Sequence, residues 1–437
     1  MTTTAEEVVV DPPLDAARHI RYWQRCFRSL LPHHYTSNDS IRLTLGFFIL
    51  SALDLLSPSS PTPLVAPDDR TRLRDWVLRL QHPHGGFCGS PHHVLPPDFT
   101  SRFDHDTKAC VARDPANANI AATGFALLTL GILAEGDGSD AFSRVDRVRT
   151  LTWLKRLQRE DGSFGEVLAD DGRVSGGRDM RYCYIAAIIR WALGGSAEGD
   201  GSLDFDVDAL VGHIRRAQTF DGGMSESSMH ESHSGYAYCA VAALALLDSA
   251  NPDPSAAPQR YIHAGIPSIP SLVHFLVSRQ FAYSDPHDDG DGGDPPPDLS
   301  SLSLSDGVPH LAGFNGRLNK LPDTCYTWWN SGALFLLGED GLVNRGPARR
   351  FILEKTQHLI GGFAKHPGGP PDVYHAYMGL AALATMAGAQ GEPGLRNFDP
   401  GLCVSADASK RIAKARECLL RSAGDVQSDS DSDSDEE

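Results

Sequence analysis

The run Leu43-Thr-Leu-Gly-Phe-Phe-Ile-Leu-Ser-Ala-Leu-Asp-Leu-Leu56 decides the fold, because it is apolar on almost every side of a helix. A helix that is hydrophobic all round has to be buried on every face. The preceding segment, residues 12–31, carries its apolar side chains at helical spacing on one side and is predicted to be an amphipathic helix. An amphipathic helix followed by an apolar one is therefore the unit to follow along the chain.

This two-helix unit recurs five more times. The amphipathic helices are predicted at residues 69–81, 144–158, 206–218, 269–280 and 347–360. The apolar helices are predicted at residues 117–133, 179–193, 231–247, 323–337 and 372–386. Between the two helices of each unit lies a Gly-containing loop that ends in Phe87, Phe164, Met224, Phe314 or Phe363. A final helix is predicted at 407–421.

Six hairpins with apolar second helices predict an all-α fold, an α/α barrel (toroid) with apolar helices inside and amphipathic helices outside. The inner helices then run in the same direction, so their N-termini meet at one end of the barrel, here called the mouth. The alternative is an open helical solenoid. It requires polar faces on its terminal repeats, and neither the first nor the last apolar helix has one.

The chain of 437 residues is interpreted as one α/α-barrel domain at 12–422. Residues 1–11 are predicted to be a disordered N-terminus, and residues 423–437, rich in Ser and Asp, a disordered acidic tail. The spacing of the loops is uneven. The longer intervals between loops contain Pro/Gly/Asp-rich stretches, which indicate insertions at about 89–116 and 284–308.

Composition excludes several classes of function. The net charge of -17 argues against a nucleic-acid partner, because phosphate backbones need basic faces. Eight cysteines without regular spacing do not indicate a disulfide framework. No apolar run reaches about eighteen residues, so no integral membrane protein is expected, and the N-terminus lacks a signal-peptide pattern. A cytoplasmic protein is predicted.

The string Gly316-Arg-Leu-Asn-Lys-Leu-Pro-Asp-Thr-Cys-Tyr326 holds the most chemistry. Asp323 is a good N-cap, and Cys325 follows in the first turn of an inner helix. His375 lies at the same depth on the next inner helix. Together the three residues are a plausible zinc set with one open position, typical of a catalytic site. Singly, each has a simpler reading as a cap, a small buried hydrophobe or a core histidine.

Further motifs of distinctive composition occur along the rest of the chain. They are Arg21-Tyr-Trp-Gln-Arg-Cys26, Arg42-Leu-Thr-Leu-Gly-Phe-Phe48, Asp179-Met-Arg-Tyr-Cys-Tyr184, Glu231-Ser-His-Ser-Gly-Tyr236 and Gly361-Gly-Phe-Ala-Lys365. With these motifs the chain resembles the β subunits of the protein prenyltransferases, most of all those of geranylgeranyltransferase type I. The resemblance covers about residues 20–383, interrupted by the insertions. The family fold is an α/α barrel.

The resemblance implies roles for individual residues. It implies one Zn²⁺ ion bound by Asp323, Cys325 and His375, with the thiol of a C-terminal C-a-a-X substrate as fourth ligand. Diphosphate binding and catalysis fall to His233, Arg317, Lys320 and Tyr326. The remaining isoprenoid contacts implied are Thr44, Arg181, Tyr184, Ser234, Gly235, Cys239 and Trp329. The implied peptide pocket consists of Asn119, Ala121, Tyr182 and Tyr374.

The resemblance therefore implies the catalytic β subunit of a zinc-dependent protein geranylgeranyltransferase type I. Such an enzyme transfers geranylgeranyl from its diphosphate to the Cys of C-a-a-X proteins, with X often Leu, Rho-type small GTPases among them. It works as an obligate heterodimer with an α subunit. Thr44 stands where the farnesyl enzyme carries Trp, which favours the longer isoprenoid. Tyr374 and Asn119 depart from the type I pattern, so the preference for a terminal Leu stays open.

Three alternatives remain at this stage. The nearest is a protein farnesyltransferase β subunit, because Tyr374 matches the farnesyl enzyme. The remote ones are a terpene cyclase on a related barrel and a non-catalytic α/α scaffold. A cyclase needs an acidic motif at its cavity, and the closest string, Asp204-Phe-Asp-Val-Asp208, falls at the start of an outer helix.

Overall fold

A computed structural model describes residues 12–91, 101–104, 109–112, 117–169, 171–195, 202–250, 258–284 and 309–432. Side chains are described throughout these ranges except at 101–104, 109–112 and 422–432. The predicted disordered N-terminus at 1–11 lies outside the described residues. So does most of the two predicted insertions, at about 89–116 and 284–308.

Helices dominate the described residues. In chain order they are α1 (Ala16–Arg28), α2 (Arg42–Leu55), α3 (Pro67–Arg79), α4 (Ile120–Leu133), α5 (Arg147–Arg156), α6 (Met180–Leu193), α7 (Val207–Arg216), α8 (Ser234–Ser249), α9 (Arg260–Gly265), α10 (Ile269–Val277), α11 (Thr324–Leu336), α12 (Arg345–Arg350), α13 (Val373–Ala387) and α14 (Ala406–Ser432). A π-helical turn, Phe351–Thr356, continues α12. Short 3₁₀ segments lie at His33–Ile41, Ser57–Ser59, Asp340–Leu342 and Gly388–Gln390.

The strands form small antiparallel pairs. They are β1 (Ser101–Asp104) with β2 (Ala109–Ala112), β3 (Val167–Leu168) with β4 (Val174–Ser175), β5 (Gln280–Ala282) with β6 (Ala312–Phe314), and β7 (Phe398–Asp399) with β8 (Val404–Ser405). In the β5–β6 pair, Gln280 lies opposite Phe314. Gln81 and Phe87 form the same bridge in another hairpin. The long insertion therefore leaves the hairpin geometry unchanged.

The apolar helices form a closed ring. α2, α4, α6, α8, α11 and α13 each pack against the next one, and α13 packs back against α2. Ring closure confirms the predicted α/α barrel and shows that the open-solenoid alternative is wrong. The amphipathic helices α1, α3, α5, α7, α10 and α12 precede these inner helices as the first members of the hairpins.

Gln and Gly residues recur in the loops because they make the contacts between successive hairpins. Gln158 accepts a hydrogen bond from the backbone N–H of Asp206 (2.8 Å) and donates one to its carbonyl (2.7 Å), which fixes the start of the next outer helix. Gly361 has a φ of +91°. A Cβ on Gly361 would lie 2.5 Å from the carbonyl oxygen of Arg18 in α1. The last loop thus packs on the first helix.

The end opposite the mouth is closed by residues 400–403, between β7 and β8. Three buried tyrosines from inner helices hold this loop by hydrogen bonds to its carbonyls. The pairs are Tyr184 with Gly401 (2.9 Å), Tyr238 with Pro400 (2.5 Å) and Tyr377 with Cys403 (2.7 Å). The last helix, α14, packs against α4 and α6 beside the loop. In the described residues the barrel is therefore a cup, closed at this end by the 400–403 loop and open at the mouth.

Two elements differ from the sequence-based prediction. The last helix runs to Ser432, past the predicted end at 421 and into the segment predicted to be a disordered tail. The short helix α9 was not predicted. In the part of the chain that the structure describes, no helix combines the length and apolar character that crossing a membrane requires.

Candidate active site at the mouth of the barrel

Side-chain caps bring the candidate residues together. Asp323 Oδ1 accepts from Cys325 N–H at 2.8 Å, and Asp372 Oδ1 accepts from His375 N–H at 2.9 Å. These caps start neighbouring helices of the ring, so Asp323, Cys325 and His375 face one cavity of about 310 Å³. This mouth cavity is lined by Arg181, His233, Gly235, Tyr236, Asp323, Cys325, Tyr326, Trp329, Lys365, Tyr374 and His375.

A carboxylate, a thiol and an imidazole form a cluster in the mouth cavity. The ligand atoms of Asp323, Cys325 and His375 all lie within 4.8 Å of one another. Asp323 and Cys325 are buried, with 2% and 5% of their surface exposed. His375 Nε2 lies 3.4 Å from Asp323 Oδ1. Three donors of these types, opening onto a cavity, match a zinc site that keeps a position free for a substrate.

Asp372 orients His375 from the side away from the cluster. Its Oδ2 lies 2.6 Å from His375 Nδ1, which leaves Nε2 facing Asp323. Burial by itself would lower the pKa of His375, but the hydrogen bonds and charges of Asp323 and Asp372 outweigh it and raise the pKa to about 9. The two carboxylates thus favour a positive charge at this point. That electrostatic preference fits a bound cation.

His233 and Tyr326 form the opposite wall of the mouth cavity. His233 Nδ1 accepts from the backbone N–H of Gly235 at 2.9 Å, so in the neutral ring Nε2 carries the proton. His233 Nε2 then donates to the Tyr326 hydroxyl at 2.9 Å, and the hydroxyl hydrogen stays available to a ligand. Burial, reinforced by Arg317 and Arg181, lowers the pKa of His233 to about 4. Burial raises the pKa of Tyr326 to about 12.

Cationic side chains surround this wall. Arg181 is held by hydrogen bonds from its guanidinium to Asp179. Lys365 Nζ lies 3.8 Å from Asp323 Oδ2. Arg317 and Lys320 lie on the rim, where Arg317 pairs with Glu231 at 2.8 Å and Lys320 is exposed. Neither of these two lines the mouth cavity.

A second, deeper cavity of about 370 Å³ joins the first at Arg181, Trp329 and Tyr374. Of the residues singled out in the sequence, it contains Thr44, Ala121, Tyr182, Tyr184 and Cys239. Its other lining residues are mostly apolar or aromatic: Phe47, Phe48, Gly124, Phe125, Leu128, Glu166, Ile185, Ile188, Trp328, Met378, Leu402 and Cys403. This deep cavity is a largely apolar hole directly below the candidate metal cluster.

Besides Arg317 and Lys320 on the rim, two further sequence-predicted residues line neither cavity. Asn119 is a buried N-cap of α4, and its Oδ1 accepts from Ala122 N–H at 2.7 Å. Ser234 is buried and donates to the carbonyl of Asn315 at 3.3 Å, which ties α8 to the loop that carries Arg317. The structure gives both side chains a supporting position rather than one facing a ligand.

Sequence reasoning missed Lys365, Asp372, Leu402 and Cys403 as site residues. Lys365 follows a Gly-Gly-Phe loop, and that position could have been found by comparing the loops. Asp372 is expected at the mouth as the start of an inner helix, but its role behind His375 does not follow from the sequence pattern. Leu402 and Cys403 come from the closing loop at the far end, and no local pattern marks them.

The fold and the site have counterparts among known proteins. The family model of the prenyltransferase alpha-alpha toroid domain matches residues 14–404, and the chain belongs to this family. The resemblance drawn from the motifs is thereby confirmed.

Within the family, the chain is similar to proteins of one kind in particular. It is 29% identical to the geranylgeranyl transferase type-1 subunit beta of Arabidopsis thaliana, over 88% of this chain and 87% of the relative. It is 26% identical to the subunit of the same name from Dictyostelium discoideum, over 83% and 88%. A solved structure of Candida albicans protein geranylgeranyltransferase-I complexed with GGPP superposes with a TM-score of 0.71 at 25% identity, covering 93% of this chain and 100% of that chain.

Proposed function

We propose that this chain is the catalytic β subunit of a zinc-dependent protein geranylgeranyltransferase type I. It transfers geranylgeranyl from its diphosphate to the Cys thiol of C-terminal C-a-a-X proteins, X often being Leu, such as Rho-type small GTPases. One observation carries the proposal: the Asp323–Cys325–His375 cluster, a hydrogen-bonding wall and a largely apolar, isoprenoid-sized cavity share one mouth. The likeness to type I β subunits supports it.

The metal is Zn²⁺, one per chain, held by Asp323, Cys325 and His375. When bound, zinc lowers the pKa of a coordinating thiol, so that the substrate cysteine is a thiolate near neutral pH. The chain's own contribution is positioning. Asp323 is fixed by its cap to Cys325 N–H, and His375 is fixed by Asp372.

The diphosphate leaves toward the His233–Tyr326 wall. The sulfur of the substrate thiolate bonds to C1 as the C1–O bond breaks. The electron pair of the C1–O bond goes to the diphosphate oxygen, and the negative charge grows there. The Tyr326 hydroxyl donates to that charge, while Arg181 and Lys365 face it as cations. Preorganised donors of this kind lower the barrier electrostatically and form no covalent bond to the substrate. Arg317 and Lys320, on the rim, extend the positive field to the outer phosphate.

The isoprenoid tail lies in the deep cavity against Trp329, Tyr184 and Cys239. Phe47, Phe48 and Phe125 complete an aromatic wall of this cavity. Thr44 contributes a small side chain to the same cavity. The tail of twenty carbons fits because no bulky ring occupies that position.

The C-a-a-X peptide lies across the mouth, where Ala121 and Tyr182 line the deep cavity and Tyr374 lines both cavities. Asn119 supports this pocket from below as the cap of α4. The Tyr374 hydroxyl accepts from Trp329 Nε1 at 3.0 Å, which holds its ring where the two cavities join. Because Tyr374 and Asn119 depart from the type I pattern, acceptance of terminal residues other than Leu is part of the proposal.

The partner is an α subunit in an obligate heterodimer. Large apolar side chains stand exposed on the loops around the mouth: Phe220 (105%), Met229 (102%), Leu318 (70%) and Leu321 (74%). Such a group of exposed apolar side chains is expected where another protein packs. The heterodimer acts in the cytoplasm, a compartment in which cysteines such as the candidate ligand Cys325 stay reduced.

A protein farnesyltransferase β subunit is the second candidate. Tyr374 favours it, and the chain is also 26% identical to the protein farnesyltransferase subunit beta of Pyricularia oryzae, over 86% of this chain and 63% of that relative. Thr44 in the deep cavity argues for the longer substrate.

Thr44→Trp decides between these two activities. The heterodimer is supplied with farnesyl or geranylgeranyl diphosphate and with C-a-a-Leu or C-a-a-Met peptides, and kcat/KM is measured for each pair. Wild type should prefer geranylgeranyl transfer to the Leu peptide, and Thr44→Trp should reverse the isoprenoid preference, because the indole fills the space for the last isoprene unit. Faster farnesyl transfer to the Met peptide by wild type contradicts the proposal.

A further inference from the structure

We propose that Leu402 and Cys403 form the floor of the deep cavity and limit the length of the isoprenoid that it accepts. This inference rests on the proposed function and adds a second determinant of chain length to Thr44. Both residues belong to the closing loop at 400–403, and both line the deep cavity.

The depth of the cavity separates the two determinants. Arg181 lies at the junction with the mouth cavity, and Ile188 lines the deep cavity on the same helix, α6. Seven residues of α-helix correspond to about 10 Å along its axis. Thr44 is in the first turn of α2, near the mouth end of this distance. A limit acting at Thr44 is therefore a side wall, and the far end needs a limit of its own.

The closing loop is held firmly enough to act as that limit. Tyr184, Tyr238 and Tyr377 donate to its carbonyls, and Asp399 Oδ1 accepts from Gly401 N–H at 2.8 Å. Moving the loop away from a longer chain would leave these buried polar groups unpaired, which is costly. A longer isoprenoid is therefore expected to be excluded rather than to displace the loop.

Because the floor is mostly apolar, the deep cavity selects isoprenoids by their length. Leu402 and Cys403 are both buried, and together they present a side chain of four carbons and a thiol to the cavity. An apolar pocket discriminates by the space that it offers, with about 10-fold to 200-fold per methylene group. Removing floor atoms should therefore admit a chain of twenty-five carbons, and adding them should favour one of fifteen.

Two variants deepen the cavity. Cys403 has a φ of +55°, a conformation that glycine adopts without strain, so Cys403→Gly should keep the fold. Leu402→Ala removes the larger side chain. The heterodimer of each variant is tested with farnesyl (C15), geranylgeranyl (C20) and farnesylgeranyl (C25) diphosphates and one C-a-a-Leu peptide. We expect the ratio of kcat/KM for C25 over C20 to rise at least about tenfold.

Matched controls shorten the same residue types in the core away from the cavity. Leu127 and Cys183 are buried but do not line the deep cavity. Leu127→Ala and Cys183→Ala should leave the C25/C20 ratio as in wild type. In the opposite direction, Leu402→Trp should raise the C15/C20 ratio.

The outcomes separate this inference from the proposed function. If wild type transfers geranylgeranyl and neither deepening variant changes the C25/C20 ratio, the floor inference is wrong while the proposed function stands. An equal rise in the core controls also overturns it, because the effect would then come from a loosened core. If wild type transfers no isoprenoid, the proposed function itself fails. Should Leu402→Trp not fold, the deepening variants still decide.

Discussion

Asp372 shows how one side chain serves two neighbouring needs. One of its oxygens caps α13 through His375 N–H, at 2.9 Å, and the other holds His375 Nδ1, at 2.6 Å. The cap fixes where the helix begins, and the second bond fixes which way the ring points. Carboxylate–histidine pairs of this kind orient the ring in metal sites. The position of His375 Nε2 beside Asp323 and Cys325 follows from both bonds.

Replacing Asp372 by Asn separates these two contributions. Asn is as good an N-cap as Asp, so the free energy of unfolding should change by less than about 1 kcal/mol. The negative charge behind His375 is lost, and zinc affinity should fall about 10-fold to 100-fold. The affinity is measured by competition with a chelator.

Asp206→Asn is the matched control for this experiment. Asp206 caps the outer helix α7 by accepting from Ala209 N–H at 2.8 Å, and it does not line the mouth cavity. The control should bind zinc as wild type does. Equal zinc affinity in Asp372→Asn and wild type would show that Asp372 is a cap only.

At the scale of single residues, the sequence predicts the site residues that lie at or near the N-termini of the inner helices. Asp323, Cys325 and His375 could be grouped because each lies at a fixed distance from a capping position on successive inner helices. Thr44, Tyr184 and Cys239 line the deep cavity, and their contact with an isoprenoid stays a prediction. Asn119 and Ser234 could not be placed in the same way, because each residue is rotated by about 100° around a helix from the one before it. A difference of one position therefore decides whether a side chain faces the cavity or the core.

At the scale of elements, His19 joins the first helix to the last loop. Its Nδ1 accepts from the backbone N–H of Gly362 at 3.1 Å, and its Nε2 donates to Gln357 at 2.9 Å. The ring also stacks on Phe363, with 4.6 Å between centroids. Gln357 ends the outer helix of the last hairpin, as Gln158 does in an earlier one, where it binds the start of the following outer helix. His19 in α1 is thus the partner that closes the circle.

The burial of His19 makes barrel closure sensitive to pH. Burial lowers its pKa from 6.5 to about 4. The unfolded chain therefore takes up a proton below pH 6.5, whereas the folded chain takes it up only below about pH 4. Stability from this group is complete above pH 6.5 and is lost as the pH falls through that window, by about 3 kcal/mol in all.

A His19→Gln variant tests this dependence. Denaturant unfolding at pH 7 and pH 5 gives the difference in unfolding free energy between wild type and variant. This difference should shrink by about 2 kcal/mol at pH 5, because only wild type carries the titrating group. A difference that is the same at both pH values would contradict the assignment.

Gly361 carries a second prediction about closure. Gly361→Ala forces a positive φ on Ala and places a Cβ against the Arg18 carbonyl, so it should destabilise by about 1–2 kcal/mol for the backbone and about 1–3 kcal/mol more for the clash. Gly338 also has a positive φ, +77°, but a Cβ there meets no atom within 4 Å. Gly338→Ala should show the backbone cost alone. Equal shifts in the unfolding midpoint would argue against tight packing of the last loop on α1.

Helices were the most predictable elements, since apolar runs such as that of α2 leave no exposed face. Their ends moved by a few residues. The contacts between hairpins were less predictable. Gln158 and Gly361 could be seen to recur, but the backbone groups that they meet lie about fifty residues away or at the other end of the chain. The short helix α9 follows residues outside the described part of the chain and has no strong pattern of its own.

The whole molecule is a cup with one polar, charged opening and one apolar interior. The ring could be predicted because six all-apolar helices can be buried together in that arrangement. The closed end could not, because it depends on Tyr184, Tyr238 and Tyr377 reaching the carbonyls of a loop distant in sequence. The cup explains how one chain can hold a long apolar substrate and a metal centre within a short distance.

The most direct test of the account is the metal content and activity of the heterodimer when the candidate ligands are changed one at a time. Purified wild type should contain one zinc per β chain and transfer geranylgeranyl in a single turnover. Cys325→Ala and His375→Ala should lose most of both, whereas Cys183→Ala, which removes a buried thiol elsewhere, should keep them. Variants of Cys325 and His375 that retain zinc and full single-turnover transfer would contradict the central claim.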